Sequence, residues 1–275
     1  MDGLEPATAN QWFAVSLEDA PPAPVRLLGR DVELRADGAR DALTGAALAM
    51  RRAYGHLWLC PGDPATPLFA CPEFDEPDRR IAACGAVVVR ASGLRLVENF
   101  LDLAHFPFVH TGVLGAEERP ETPPYKVEIR RDVDEVWATE CRFWQPQAAA
   151  GAQGGQMSDY VYRVAAPFTV LLYKTCPVDP ARRDVIALFV QPVEPDVSRA
   201  FAVVAVVDAE TPQVGLIHFQ QMIFLQDRAI LENQRPRLLP LDPGAETPTR
   251  ADMTSIAYRR WLKEKGVRFG ATATA

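Results

Sequence analysis

A chain of 275 residues can bury a substantial core, and its 48% hydrophobic and 24% charged residues are those of a folded globular chain, not of a disordered or membrane-embedded one. The formal net charge of −7, with no Lys/Arg block longer than a pair, excludes a surface built to track nucleic-acid phosphates. The opening stretch MDGLEPATAN has neither a basic nor an apolar leader, and runs such as AFAVVAVV are too short to cross a bilayer, so a cytoplasmic protein is expected.

In chain order, QWFAVSLED, VRLLGRDVELRAD and AYGHLWLCPGD read as short strands, the second a hairpin turning at Gly29-Arg30-Asp31. GARDALTGAALAMRR, between the last two, reads as an Ala-rich connection, and the proline-rich CPGDPATPLFACPEFDEPDRR leads out of this small β module. The reading places residues 1–80 in that module and 81–275 in a second, larger domain. There a helix is predicted at 94–106, followed by a loop to Pro124. Strands are predicted at 125–131, 135–145, 157–165, 168–175, 184–192 and 199–208, because apolar and polar residues alternate between turn signals such as PVDPARRD. An antiparallel sheet follows, with helices at 211–234 and 251–265, the first stopped by Pro236. AQGGQ at 152–156 is a Gly-rich turn lacking the context of a phosphate loop.

The five cysteines, Cys60, Cys71, Cys84, Cys141 and Cys176, are scattered through apolar strands, as reduced core thiols would be. The segment ENFLDLAHFPFVH, residues 98–110, carries two of the four histidines. On an ideal helix an i, i+5 pair diverges by about 140°, so His105 and His110 need a break to converge, and Pro107 is expected to supply it. Asp102, one turn earlier, can orient His105 through its second ring nitrogen, and Asn99 continues that face. Two neutral imidazoles with one carboxylate make the facial set of non-haem Fe(II) oxygenases, which leaves positions open for O2. Asp227, in the apolar helix HFQQMIFLQDRAILENQRP, is the candidate third ligand. The structural alternatives are packed core histidines and a solvated Asp227 paired with Arg228. His218 reads as a lining or surface residue and His56 as a packed strand histidine. No Glu follows His105 as in an H-E-x-x-H zinc helix, which favours iron.

These residues resemble a known family, the α subunits of Rieske non-haem iron oxygenases. NFLDLAHFPFVHTGVLG is similar to the family's N-x-x-D-x-x-H-x-x-x-x-H motif, with spacing closest to its demethylase branch of vanillate and dicamba O-demethylases and methylxanthine N-demethylases. QDRAILENQRP resembles the helix carrying the third ligand, which maps to Asp227, and RADMTSIAYRRWLKEKG the closing helix. WFAVSLED, VRLLGRDVELRADG and RRAYGHLWLCPGDPATPLF are similar to the first and last strands of a Rieske domain. Its cluster ligands, in C-x-H and C-x-x-H pairs, are absent, since no cysteine here has a histidine two or three residues later.

The resemblance implies an α+β helix-grip catalytic domain with a curved antiparallel sheet, preceded by a β remnant of a Rieske domain. It implies mononuclear Fe(II) on His105, His110 and Asp227, Asn99 as an outer-sphere group, and Asp102 between His105 and the electron donor. No [2Fe–2S] cluster is expected in this chain. Electrons would come in trans from a Rieske [2Fe–2S] protein or a reductase with a Rieske domain, and NAD(P)H would act only through that reductase. The expected assembly is a homo- or hetero-trimer. Phe106, Tyr160, Phe168 and Phe224 are candidates for binding a small aromatic or heterocyclic substrate, and N- or O-demethylation is the expected reaction. Hydroxylation of a ring or side chain, or a non-catalytic structural subunit, are the alternatives.

Overall fold

In the computed structural model, which describes residues 3–152 and 154–272, two antiparallel sheets follow one another along the chain. After one helical turn, α1 (Pro6–Ala9), come β1 (Phe13–Leu17), β2 (Val25–Leu27), β3 (Arg30–Arg35), β4 (Gly38–Asp41), β5 (Ala47–Ala53) and β6 (His56–Cys60). They form one sheet in the order β1-β6-β5-β4-β3-β2. The second sheet contains β7 (Arg80–Val89), β8 (Lys126–Arg130), β9 (Glu135–Gln145), β10 (Gln156–Ala166), β11 (Thr169–Thr175), β12 (Arg183–Glu194) and β13 (Val197–Val206). Its order is β7-β13-β12-β11-β10-β9-β8, and every neighbouring pair is antiparallel. The helices are α2 (Gly93–Leu101), the short turn α3 (Phe106–Val109), α4 (Gln213–Asn233) and α5 (Met253–Lys265). The α+β class and the curved antiparallel sheet are as expected. No helix among the described residues is long and apolar enough to cross a membrane.

The pattern of each strand follows from what covers its two faces. Along β10, Ser158, Tyr160, Tyr162 and Val164 are buried while their neighbours are half-exposed, the alternation of a strand with one inner face. β12 is buried on both faces over most of its length, because the first sheet lies on one side and α2 on the other. The two sheets share one apolar core, in which Phe13 of β1 meets Phe168 at 5.4 Å between ring centroids. Backbone bonds reinforce this contact: Leu28 and Gly29 donate their N–H groups to the carbonyls of Pro192 and Val193, each at 2.8 Å.

Three local expectations are corrected. The Ala-rich connection is two strands, β4 and β5. Asp41 closes the turn between them by accepting the N–H groups of Leu43 at 3.0 Å and Thr44 at 2.8 Å, and pairing with β3 and β6 overrides the weak strand propensity of alanine. Residues 80–89, for which no strand was predicted, form β7 at the edge of the second sheet, where Ala82 pairs with Val204. The hairpin between β2 and β3 turns at Leu28-Gly29, both at positive φ (53° and 74°), one position earlier than expected. The Gly-rich turn at 152–156 includes Gln153, which lies outside the described residues.

Phe13→Ala removes an aromatic ring from the shared core and is expected to destabilise the protein by about 3–5 kcal/mol. In urea, tryptophan fluorescence and circular dichroism should shift together to lower denaturant in a single transition.

Candidate metal centre

Helix α2 starts with Ser92 as its cap, whose Oγ accepts the Leu94 N–H at 3.1 Å, and ends at Leu101. Asp102 is already extended, at φ −80° and ψ 126°. Its Oδ1 accepts the Ala104 N–H at 2.7 Å and its Oδ2 lies 3.2 Å from His105 Nδ1. A short polar side chain that bonds locally in this way competes with the helical ladder. The break therefore falls at Asp102, ahead of Pro107, which corrects the expected role of the proline. Pro107 instead sits in the first turn of α3, where its missing N–H costs nothing. His105 and His110 flank this single turn. Gly115 presses on it from behind: a Cβ there would lie 2.6 Å from both Phe106 C and Pro107 N, so only glycine permits the approach.

Helix α4 contributes Asp227 and, one residue earlier, Gln226. The structure brings His105, His110 and Asp227 together, the one group of His, Cys, Asp and Glu residues among those described that could hold a metal ion. His105 Nε2 lies 3.1 Å from His110 Nε2, and Asp227 Oδ1 lies 3.2 Å from the first and 3.0 Å from the second. Arg228 pairs with Glu232 at 3.1 Å and not with Asp227.

With both rings neutral, as metal binding requires, the outer ring nitrogens carry the protons and the inner ones become ligand atoms. His105 Nδ1–H donates to the Asp102 carboxylate and His110 Nδ1–H donates to Gln226 Oε1 at 2.8 Å, which leaves a lone pair on each Nε2. Asp227 Oδ1 is buried and has no hydrogen-bond partner. Three electron-rich atoms thus face one another, an arrangement that calls for a cation at the centre. Ligand bonds of about 2.1 Å place neighbouring donors about 3.0 Å apart at right angles and about 3.4 Å apart in a tetrahedron. The observed separations of 3.0–3.2 Å are nearer the facial arrangement, and two imidazoles with a carboxylate suit Fe(II). The carboxylates of Asp102 and Asp227 favour positive charge at this point, whether a proton on His105 or a metal ion that displaces it. Burial disfavours charge on His105, yet Asp102 and Asp227 push it up to about 9. Burial also opposes ionisation of Asp227, but the two histidines hold it below the usual carboxylate range.

The triad opens on a cavity between α4 and the concave face of the second sheet, with about 830 Å³ free of protein atoms, its mouth included. Strand register sets its floor. One cross-strand row runs Tyr160, Lys174, Asp184, and the next runs Tyr162, Leu172, Ile186, Val204. Phe219 and Ile223 of α4 face them across the space. Of the expected aromatic residues, Phe106 and Tyr160 line the cavity. Phe168 and Phe224 do not: Phe168 packs against Phe13 and under Gly93, and Phe224 is buried in the core. Asn99 lines the cavity, and with Asp102 it also borders a second groove on the outer side of His105, where Arg259, Arg260 and Lys263 stand. His218 is exposed, and His56 is a buried strand residue bonded to the Tyr54 carbonyl at 2.8 Å. Gln226 was not anticipated, and its position beside Asp227 was the only hint.

Residues 89–268 match the vanillate O-demethylase oxygenase C-terminal domain. The chain is 48% identical over 251 residues to the "Probable methylxanthine N7-demethylase NdmC" of Pseudomonas sp. (strain TJI-51), a match covering 90% of this chain and 89% of that one. In fold it is similar to Pseudomonas putida CBB5 NdmA with caffeine, at TM-score 0.74 and 18% identity over 94% of this chain and 91% of that one. It is also similar to dicamba monooxygenase bound to dicamba, at TM-score 0.68 and 14% identity over 94% and 97% of the two chains.

Gln226→Leu removes the acceptor that fixes the His110 ring. Anaerobic titration with Fe(II) should show affinity reduced about 10- to 100-fold, with the circular dichroism spectrum unchanged.

Proposed function

The chain belongs to the vanillate O-demethylase oxygenase C-terminal domain family of Rieske non-haem iron oxygenases, and from that premise we propose that it is the catalytic subunit of a demethylase that takes its electrons from another polypeptide. Its substrate would be a small heterocyclic or aromatic compound carrying a methyl group on nitrogen or oxygen. The observation that carries this reading is the lone-pair triangle of His105, His110 and Asp227 at the end of a largely apolar cavity. The oxygenase class follows from the family. The N-methyl preference is supported by the relative's name.

Fe(II) held by His105, His110 and Asp227 would supply the activation of O2 for attack on a C–H bond. The protein's own part is orientation and exclusion. Asp102 and Gln226 hold the two rings with Nε2 inward, and Asn99 stands at the edge of the site. Phe106, Leu114 and Ile223 keep water from the methyl group. One oxygen atom enters the N–CH3 group and the other leaves as water, consuming two electrons and two protons. The resulting N–CH2OH group then breaks its C–N bond, giving formaldehyde and N–H.

Supply of electrons in trans is supported by the cysteines. All five are buried, and none has a histidine two or three residues later to complete a cluster-binding pair. Where a cluster-binding lobe would be inserted, the chain has the short hairpin of β4 and β5. In this reading residues 1–80 are a Rieske remnant and 81–275 the catalytic domain. Asp102, with 29% of its side chain exposed beside the outer groove, is the surface at which an incoming Rieske domain approaches His105.

The test combines the Fe(II)-loaded chain with NAD(P)H, a reductase and a Rieske protein, using methylxanthines as substrates. Formaldehyde should appear in step with O2 consumed, disappear in Asp227→Ala, and fall at least tenfold in Asp102→Asn. Turnover without the Rieske protein would reject electron supply in trans. Absence of formaldehyde from every methylated substrate would reject demethylation.

A further inference from the structure

The floor of the cavity is not uniformly apolar. Cross-strand pairing sets Tyr160 beside Lys174 and Lys174 beside Asp184, while the parallel row of Tyr162, Leu172, Ile186 and Val204 is apolar apart from one hydroxyl. Lys174 is 5% exposed and Asp184 6% exposed, and both line the cavity that contains the metal triad. A buried lysine and a buried aspartate on adjacent strands would ordinarily close on one another. Here, among the described residues, they do not. Lys174 Nζ donates to the Ala148 carbonyl, and Asp184 Oδ1 accepts the Val207 N–H at 3.1 Å, with the Cys176 thiol also at hand.

These tethers hold the two groups apart and leave each with capacity to spare. Burial pushes Lys174 down to about 7, but an amine has two donors and an ammonium three, of which one is used, and a carboxylate has about four lone-pair sites. Diagonally across from Lys174, the hydroxyl of Tyr162 is buried, lines the cavity and has no partner at all. Tyr160 differs in being engaged by Gln145. Unpartnered polar groups in an otherwise apolar cavity are costly unless a ligand completes them.

We propose that Lys174 and Asp184 form the specificity strip of this cavity, Lys174 donating to a ring carbonyl of the substrate and Asp184 accepting from the adjacent ring N–H. The substrate class is therefore a planar oxo-heterocycle with a lactam edge, whose ring lies between Leu172 and Ile186 below and Phe219 and Ile223 above. Tyr162 serves a second acceptor on the same ring. The proposal rests on the demethylase reading of this cavity and gives it a substrate class. Both residues are specificity determinants; neither reaches the reacting atoms.

Theobromine and caffeine provide the test, since they differ by one methyl group that replaces a ring N–H lying between two carbonyls. Equilibrium dialysis of the Fe(II)-loaded full chain under anaerobic conditions reads affinity without turnover. Theobromine should bind about tenfold or more tightly, because caffeine offers no N–H to the remaining acceptor capacity of Asp184. Asp184→Leu should bring the ratio near one, and Asp184→Asn, which retains an acceptor, should restore much of it. A purely structural Asp184 would weaken both ligands alike. Lys174→Met should weaken both at least tenfold, and it carries the test if Asp184→Leu does not fold. Equal affinities in the wild-type protein, a ratio unchanged in Asp184→Leu, or no binding of either ligand at millimolar concentration would overturn the proposal. The outcome is separable from the reaction: a discriminating cavity that releases no formaldehyde would sink demethylation and leave the strip standing, whereas formaldehyde with equal affinities would do the reverse.

Discussion

Three potential ligand atoms held 3.0–3.2 Å apart in a buried pocket, all three bearing lone pairs once both imidazoles are neutral, are the constraint around which the centre of this molecule is organised. Such an arrangement is unfavourable alone, so the surrounding structure must enforce it. Asp102 ends α2 and turns His105, Gln226 holds His110, and Gly115 lets the turn between the histidines lie close to the following loop. Asp227 reaches the same point from α4, which begins more than a hundred residues later. Each support acts on an outer nitrogen or on the backbone, and the inner atoms are left free.

The second sheet does for the substrate what the helix ends do for the triad. Antiparallel register converts alternation along four strands into rows across the sheet, so residues far apart in sequence become neighbours on the cavity floor. The first sheet covers the opposite face of β12, where Phe13 and Phe168 meet. The first sheet thus has a mechanical role: it buries the back of the sheet whose front forms the cavity.

Much of this was legible from residue spacing. The strands from β8 to β13 lie within two residues of their expected limits because alternation and turn residues mark them directly. The convergence of His105, His110 and Asp227 was also anticipated, although the origin of the break was not. Proline is conspicuous in a sequence, whereas the local hydrogen bond of Asp102 that ends the helix is visible only with coordinates. β4 and β5 were missed because their Ala- and Gly-rich segments have little strand propensity and become strands through their partners, and β7 because Ala82, Ala83 and Gly85 interrupt the apolar alternation that Ile81 and Val87–Val89 would otherwise show. Phe168 and Phe224 were misplaced for a related reason. Burial is readable from a sequence, but which of two buried faces meets the cavity depends on register and helix rotation. Lys174 and Asp184 went unnoticed because a lysine and an aspartate in a strand ordinarily mark its solvent face.

The function of this molecule depends on whether the triangle holds a metal. Reconstitution of the full chain with Fe(II) under anaerobic conditions, followed by removal of free metal and measurement of iron and acid-labile sulfide, tests this directly. The account predicts one iron per chain and no sulfide, with the iron lost and the fold retained when His105 and His110 are both changed to alanine. Retention of iron by that double variant, or no iron in the unaltered chain, would contradict it.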